Sequence, residues 1–218
     1  MSKGRIASPH QSSYGREAAG VFAASVAAAF APGATADSVV AAALALARDG
    51  THDAIAAVAD AAAGIGSWQD AIPTLRAAVA PYDTVGEDYR KPGPDARRPS
   101  RTKAIEELPV ALGMVLVAGG DVEEAVLGAV NYGRDADSIA SMAGAVCGAL
   151  GGAAAVPAAW AEEIAEASRT PLVPPGETMA DVAAEVFARD AARAREREAA
   201  RRALVGDPDP GDGEAVAR

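Results

Sequence analysis

One cysteine in 218 residues, two histidines and 4% aromatic side chains put several kinds of protein out of reach. Cys147 has no internal disulfide partner, so the chain is not a disulfide-stapled secreted scaffold, and the expected compartment is the reducing cytoplasm. The Gly, Ala and Val neighbours of Cys147 read as core, with no charged group in sequence to activate a thiolate. Basic residues are also scarce: 20 Lys and Arg stand against 30 Asp and Glu, a net charge of −10. A protein that wraps a nucleic-acid backbone needs a basic stripe to displace counterions, and that function is excluded. No N-terminal run is apolar enough for a secretory signal. The longest uncharged stretch, 138–160, has the length of a membrane span. Its composition is Ala and Gly, broken at Gly151, Gly152 and Pro157, which predicts a buried central helix and no membrane partner.

Alternating Val, Ile and Thr runs are missing as well, while alanine makes up roughly a quarter of the residues. That balance predicts an all-α bundle. Helices are expected at Glu17 to Phe30, from a Thr35 cap to Arg48, from a Thr51 cap to about Ala63, and over Trp68 to Val79 with Pro73 near its start. Pro109 suits the first turn of a helix ending at Gly119, and Asp121 with Glu124 has capping-box spacing for the next. Gly144, Gly148 and Gly152 recur every four residues, leaving one face of the central helix open to close neighbours. A helix around Trp160 and a long Ala/Glu/Arg helix from Thr178 to Leu204 complete the set. The chain thus divides into N-terminal helices (1–80), a proline-rich loop (81–100), further helices of the same domain (101–204) and a disordered tail (205–218).

The segment richest in chemistry is Asn131 to Ala140, NYGRDADSIA. Asp135, Asp137 and Ser138 put three oxygen-bearing side chains on one turn at the mouth of an uncharged helix, a donor set suited to Mg²⁺. A single Asp there is explained equally well as an N-cap, while a second nearby carboxylate repels the first unless a cation lies between them. Both readings stand on spacing alone. Glu106 and Glu107 fall at an expected helix start and read as favourable charges near its positive end. Arg134 balances the aspartates or reaches for phosphate, whereas His52, Trp68 and Trp160 read as structural.

The run GRDADSIASMAGAVCGALGG resembles the C-terminal signature of the ADP-ribosylglycohydrolase family, in which an Asp-x-Asp-Thr/Ser loop enters a Gly/Ala-rich helix. KAIEELPVALGMVLVAGGDVEEAVLGAVNYG is similar to the helix pair before that loop, and VPAAW to the proline and tryptophan after it, over roughly 101–168. A shorter likeness is SPHQSSYG, similar to the family's His-x-Ser-Ser-x-Gly loop. The resemblance implies an orthogonal all-α bundle holding two Mg²⁺ ions and hydrolysing the glycosidic bond between ADP-ribose and a protein side chain or related acceptor. By position it implies Asp135, Asp137 and Ser138 as metal ligands, with both aspartates at the reaction centre. Gly133 and Arg134 would meet the substrate, and His10, Ser12, Ser13, Tyr14 and Gly15 would line the ADP-ribose pocket, although His10, Ser12, Ser13 and Tyr14 read equally well as loop, capping and core-edge residues.

The family also carries N-terminal helices with a Thr-Asp-Asp motif that completes the metal site, and no Thr-Asp-Asp occurs in this sequence. The expected bundle therefore lacks those helices and half of the metal ligands. The sequence supports three functions, in this order: a Mg²⁺-dependent hydrolase of ADP-ribosylated protein, a non-catalytic module binding ADP-ribose, and a helical protein-interaction module. A second chain or self-association would cover apolar faces that the missing helices leave bare.

Overall fold

A computed structural model describes residues 14–82 and 101–206, without the side chains of Tyr14 and of residues 101–103. His10, Ser12 and Ser13, the proline-rich loop beyond Tyr82 and the tail beyond Gly206 lie outside the described residues. Among the described residues there is no strand, as an alanine-rich chain without alternating β-branched runs should fold. The chain divides into two compact units, Met1–Ala158 and Ala159–Arg218.

The first unit contains α1 (Tyr14–Ala29), α2 (Ala36–Leu46), α3 (Asp49–Ala62), α4 (Trp68–Val79), α5 (Arg101–Val117), α6 (Val122–Tyr132) and α7 (Ala136–Gly151). Helix α5 touches each of the other six. Its sequence explains this, because LPVALGMVLV is apolar on every side and a helix without a polar face belongs inside. Leu108, Val110, Ala111, Leu112, Met114 and Val115 are all buried. Gly113 lets α3 approach closely: a Cβ there would lie 2.5 Å from Val58 Cγ1. A main core takes residues from all seven helices, and a smaller cluster packs α1 and α2 against α3 and α5.

Local signals set several helix starts. Thr35 and Ser38 form a reciprocal capping box, Ser67 accepts from the Asp70 amide, and Asp121 Oδ1 accepts from the Glu124 amide at 2.9 Å. Other boundaries differ from the sequence reading. Helix α1 begins at Tyr14, ahead of Glu17. Thr51 does not cap α3, which starts at Asp49; Glu17 of α1 accepts the Arg48 amide at that end and so satisfies it from another helix. Thr51 lies inside the first turn, buried, with no partner for its hydroxyl among the described residues. Pro109 is in the interior of α5, not its first turn, because the helix already runs from Arg101. With no N–H of its own it leaves the Ile105 carbonyl without the regular helical donor. Of the glycine series, only Gly144 faces a close neighbour among the described residues, with Val126 Cγ2 3.1 Å from where its Cβ would be. Gly152 instead ends α7 at φ +71°, so the uncharged stretch is broken into two helices.

The second unit holds most of α8 (Ala158–Ser168) and all of α9 (Val173–Val205). Helix α9 starts before the expected Thr178, since Pro174 and Pro175 suit a first turn. It buries no residue and carries one-turn ion pairs such as Glu198 with Arg201 and Arg202. No described helix is long and apolar enough to cross a membrane.

Candidate functional site

The segment between α6 and α7 is two residues of unusual backbone followed by the first carboxylate. Gly133 ends α6 at φ 77°, ψ −153°, a region essentially reserved for glycine. Arg134 follows at φ +58°, which for an L-residue costs on the order of 1 to 2 kcal/mol. Asp135 then occupies the N-cap position of α7, yet its side chain makes no capping hydrogen bond. Its Oδ1 instead accepts from Ser138 Oγ at 3.2 Å. The simple capping explanation for Asp135 therefore fails where it succeeds for Asp121. Asp137 is exposed on the same turn.

What holds Arg134 in a disfavoured conformation is Glu106. This glutamate is 1% exposed, and its carboxylate takes the Arg134 Nε at 2.8 and 2.9 Å and the Tyr132 hydroxyl at 2.7 Å. Burial, reinforced by that carboxylate, pushes the Tyr132 phenol well above its ordinary range and keeps it a donor. From α4, the Arg76 guanidinium lies 4.6 Å over the Tyr132 ring and donates to the Tyr132 carbonyl. Reading Glu106 as a charge at a helix start is thus corrected. It sits in the second turn of α5 on the buried stripe, and its role is to receive the two residues flanking Gly133. The Arg134 Nε meets Glu106, and the Arg134 side chain is 9% exposed.

On the other side of this turn lies a cavity of about 400 Å³, within the range of small-molecule sites. Three helix faces meet there at helical spacing: Gly15, Ala18, Ala19 and Phe22 of α1, Ala104, Glu107 and Leu108 of α5, and Asp135, Ser138 and Met142 at the start of α7. Small residues on α1 create the space, and Phe22, Leu108 and Met142 give it apolar walls. Its polar lining residues among those described are Glu107, Asp135 and Ser138. Helix α7 directs its positive end toward the same place, which favours an anionic ligand.

Adjacent ligands of an octahedral ion with bonds near 2.1 Å stand about 3.0 Å apart. Asp135 Oδ1 and Ser138 Oγ are 3.2 Å apart because Ser138 donates a hydrogen bond to Asp135, a spacing common to such bonds and not specific to an ion. Among the described residues, no three His, Cys, Asp or Glu side chains are grouped to hold an ion. Asp135 and Ser138 form no closed protein cage, and an ion there would keep most of its waters or share its shell with a ligand's oxygens.

The structure therefore brings together Gly15, Asp135 and Ser138 of the sequence-predicted residues. Gly133 contributes a backbone conformation, and a Cβ there would meet no described protein atom within 4 Å. Asp137 is not on the cavity wall, Arg134 is turned to Glu106, and Tyr14 opens α1 next to Gly15. Sequence reasoning missed Glu107 as a wall residue and Glu106 as the loop's anchor. A signal was present, since Glu106 interrupts an otherwise apolar stripe on α5, and a charge at such a position needs a buried partner.

No curated protein and no solved structure matches the chain. The family model of ADP-ribosylglycohydrolase matches it over residues 5–198, well beyond the 101–168 stretch in which the motif order is legible. That span takes in all three helices around the cavity as well as the Asp135 turn, and the chain belongs to the ADP-ribosylglycohydrolase family.

Proposed function

We propose that the cavity between α1, α5 and α7 receives the ADP-ribose portion of an ADP-ribosylated protein or related small molecule, and that the chain hydrolyses its glycosidic bond. The observation that carries this reading is the orientation of Asp135. A helix-start aspartate that does not cap its helix, and faces a cavity beside Ser138 and opposite Glu107, is placed for a ligand. Family membership supplies the bond type.

Within this reading, the positive end of α7 attracts the ligand's phosphate oxygens. Phe22 and Met142 offer apolar surface to a ring, and Glu107 stands across the cavity as a proton acceptor for a water. Asp135 and Ser138 would hold Mg²⁺, and Asp137, exposed on the same turn, would add its negative charge. When bound, that ion supplies charge stabilisation and orients ribose hydroxyls and the attacking water.

The test is release of ADP-ribose from ADP-ribosylated arginine and serine peptides with Mg²⁺, alongside calorimetry with free ADP-ribose. Turnover that disappears in Asp135→Ala supports the reading, whereas wild-type protein that neither releases nor binds ADP-ribose overturns it. The lack of a three-ligand cluster among the described residues favours a second reading, non-catalytic binding of ADP-ribose. Binding without turnover is its signature.

A further inference from the structure

We propose that Glu106 is a positioning residue for the candidate site, one buried carboxylate that clamps the residues on both sides of Gly133 and so sets where Asp135 faces. The inference rests on the cavity reading above for its ligand, and on the fold alone for the clamp. Gly133 and Arg134 form a two-residue stretch at positive φ. Such a stretch has no local reason to keep one conformation, because glycine has many and the arginine is strained. The regular backbone bonds at its edges are Gly133 N–H to the Val130 carbonyl at 3.2 Å and Ile139 N–H to the Asp135 carbonyl at 3.1 Å.

The restraint comes from side chains that converge on Glu106. Tyr132 reaches it from the residue before the glycine, and Arg134 from the residue after. Because Asp135 is bonded directly to Arg134, rotation of the arginine backbone into a relaxed conformation would swing the Asp135 carboxylate away from Ser138 and out of the cavity wall. Helix α5 serves both faces of the turn with consecutive residues: Glu106 holds it from behind, and Glu107 lines the cavity in front. The burial of Glu106 makes the clamp firm, since a carboxylate in the interior gains most from charged and hydroxyl donors that stay in place.

The test compares wild type with Glu106→Gln, which keeps the shape and removes the charge, by hydrogen exchange and by calorimetry with ADP-ribose and Mg²⁺. Exchange at the Gly133 and Ile139 amides should accelerate about tenfold while the amides of α3 keep their protection, and ADP-ribose affinity should fall about tenfold, the usual scale for groups that orient a ligand-bearing residue. Loop exchange that matches wild type overturns the clamp. Faster exchange with unchanged affinity overturns the positioning role. If Glu106→Gln does not fold, Tyr132→Phe removes only the hydroxyl bond and should show the same two changes at smaller size; no change in either measurement overturns the proposal. If wild type binds no ADP-ribose, the cavity reading fails by itself, and the exchange rates still decide the clamp.

Discussion

Arg134→Gly sets two effects of known sign against each other at one position. Glycine removes the strain of an L-residue at φ +58°, a gain of about 1 to 2 kcal/mol. It also removes the guanidinium from a glutamate whose side chain is 2% exposed, and breaking a buried pair by deleting one partner costs about 3 to 5 kcal/mol. The Tyr132 hydroxyl stays on Glu106 and moderates the loss without replacing a cation. The net expectation is destabilisation by about 1 to 4 kcal/mol, which for a chain of this size lowers Tm by roughly 2 to 16 °C. Thermal melts followed by circular dichroism measure it directly. Arg169→Gly provides the control: Arg169 has φ +52° but is exposed, so relief of strain should act alone and stability should hold or rise. A Tm for Arg134→Gly at or above wild type would refute this reasoning, because it would mean the strained backbone outweighs the buried ion pair.

Gly113→Ala should lower stability by about 1 to 3 kcal/mol in the same melts, since its new methyl would lie 2.5 Å from Val58 Cγ1 and 3.0 Å from Leu75 Cδ1. Asp121→Ala should lose about 1 kcal/mol with the cap on Glu124 and leave ADP-ribose binding intact. Asp135→Ala, which loses no cap, should do the reverse, abolishing ligand binding with a smaller change in Tm; equal effects of the two on Tm would contradict the difference between the two helix starts. Burial, with a smaller contribution from Asp121, pushes the Cys147 thiol up to about 12. Below the unfolded thiol value of about 8.5 both states hold the proton and the group contributes nothing. Above it only the unfolded chain releases the proton, so urea midpoints should fall as pH rises toward 12. At pH 8 the native thiol should resist Ellman's reagent and react fully in urea; fast native reaction would show that the thiol is not buried.

Composition and local chemistry were sufficient for the all-α architecture, because helix propensity, caps and breakers act over a few residues. Asp121 and Thr35 do in the structure what their spacing predicts, and Trp68–Val79 is bounded as read. The Asp135 turn and its resemblance were legible for the same reason, as the motif is contiguous. Tertiary contact decided the rest. Thr51 falls inside a helix that starts at Asp49, whose N-cap amide on Arg48 is taken by Glu17, far away in sequence, and Pro109 is carried inside a helix that packs against six others. Two adjacent glutamates look alike in sequence, but one meets Tyr132 and Arg134 in the interior while the other faces a cavity. The apolar stripe marks which of the two is buried, but its partners depend on which helices cover that side of α5, a long-range outcome of packing.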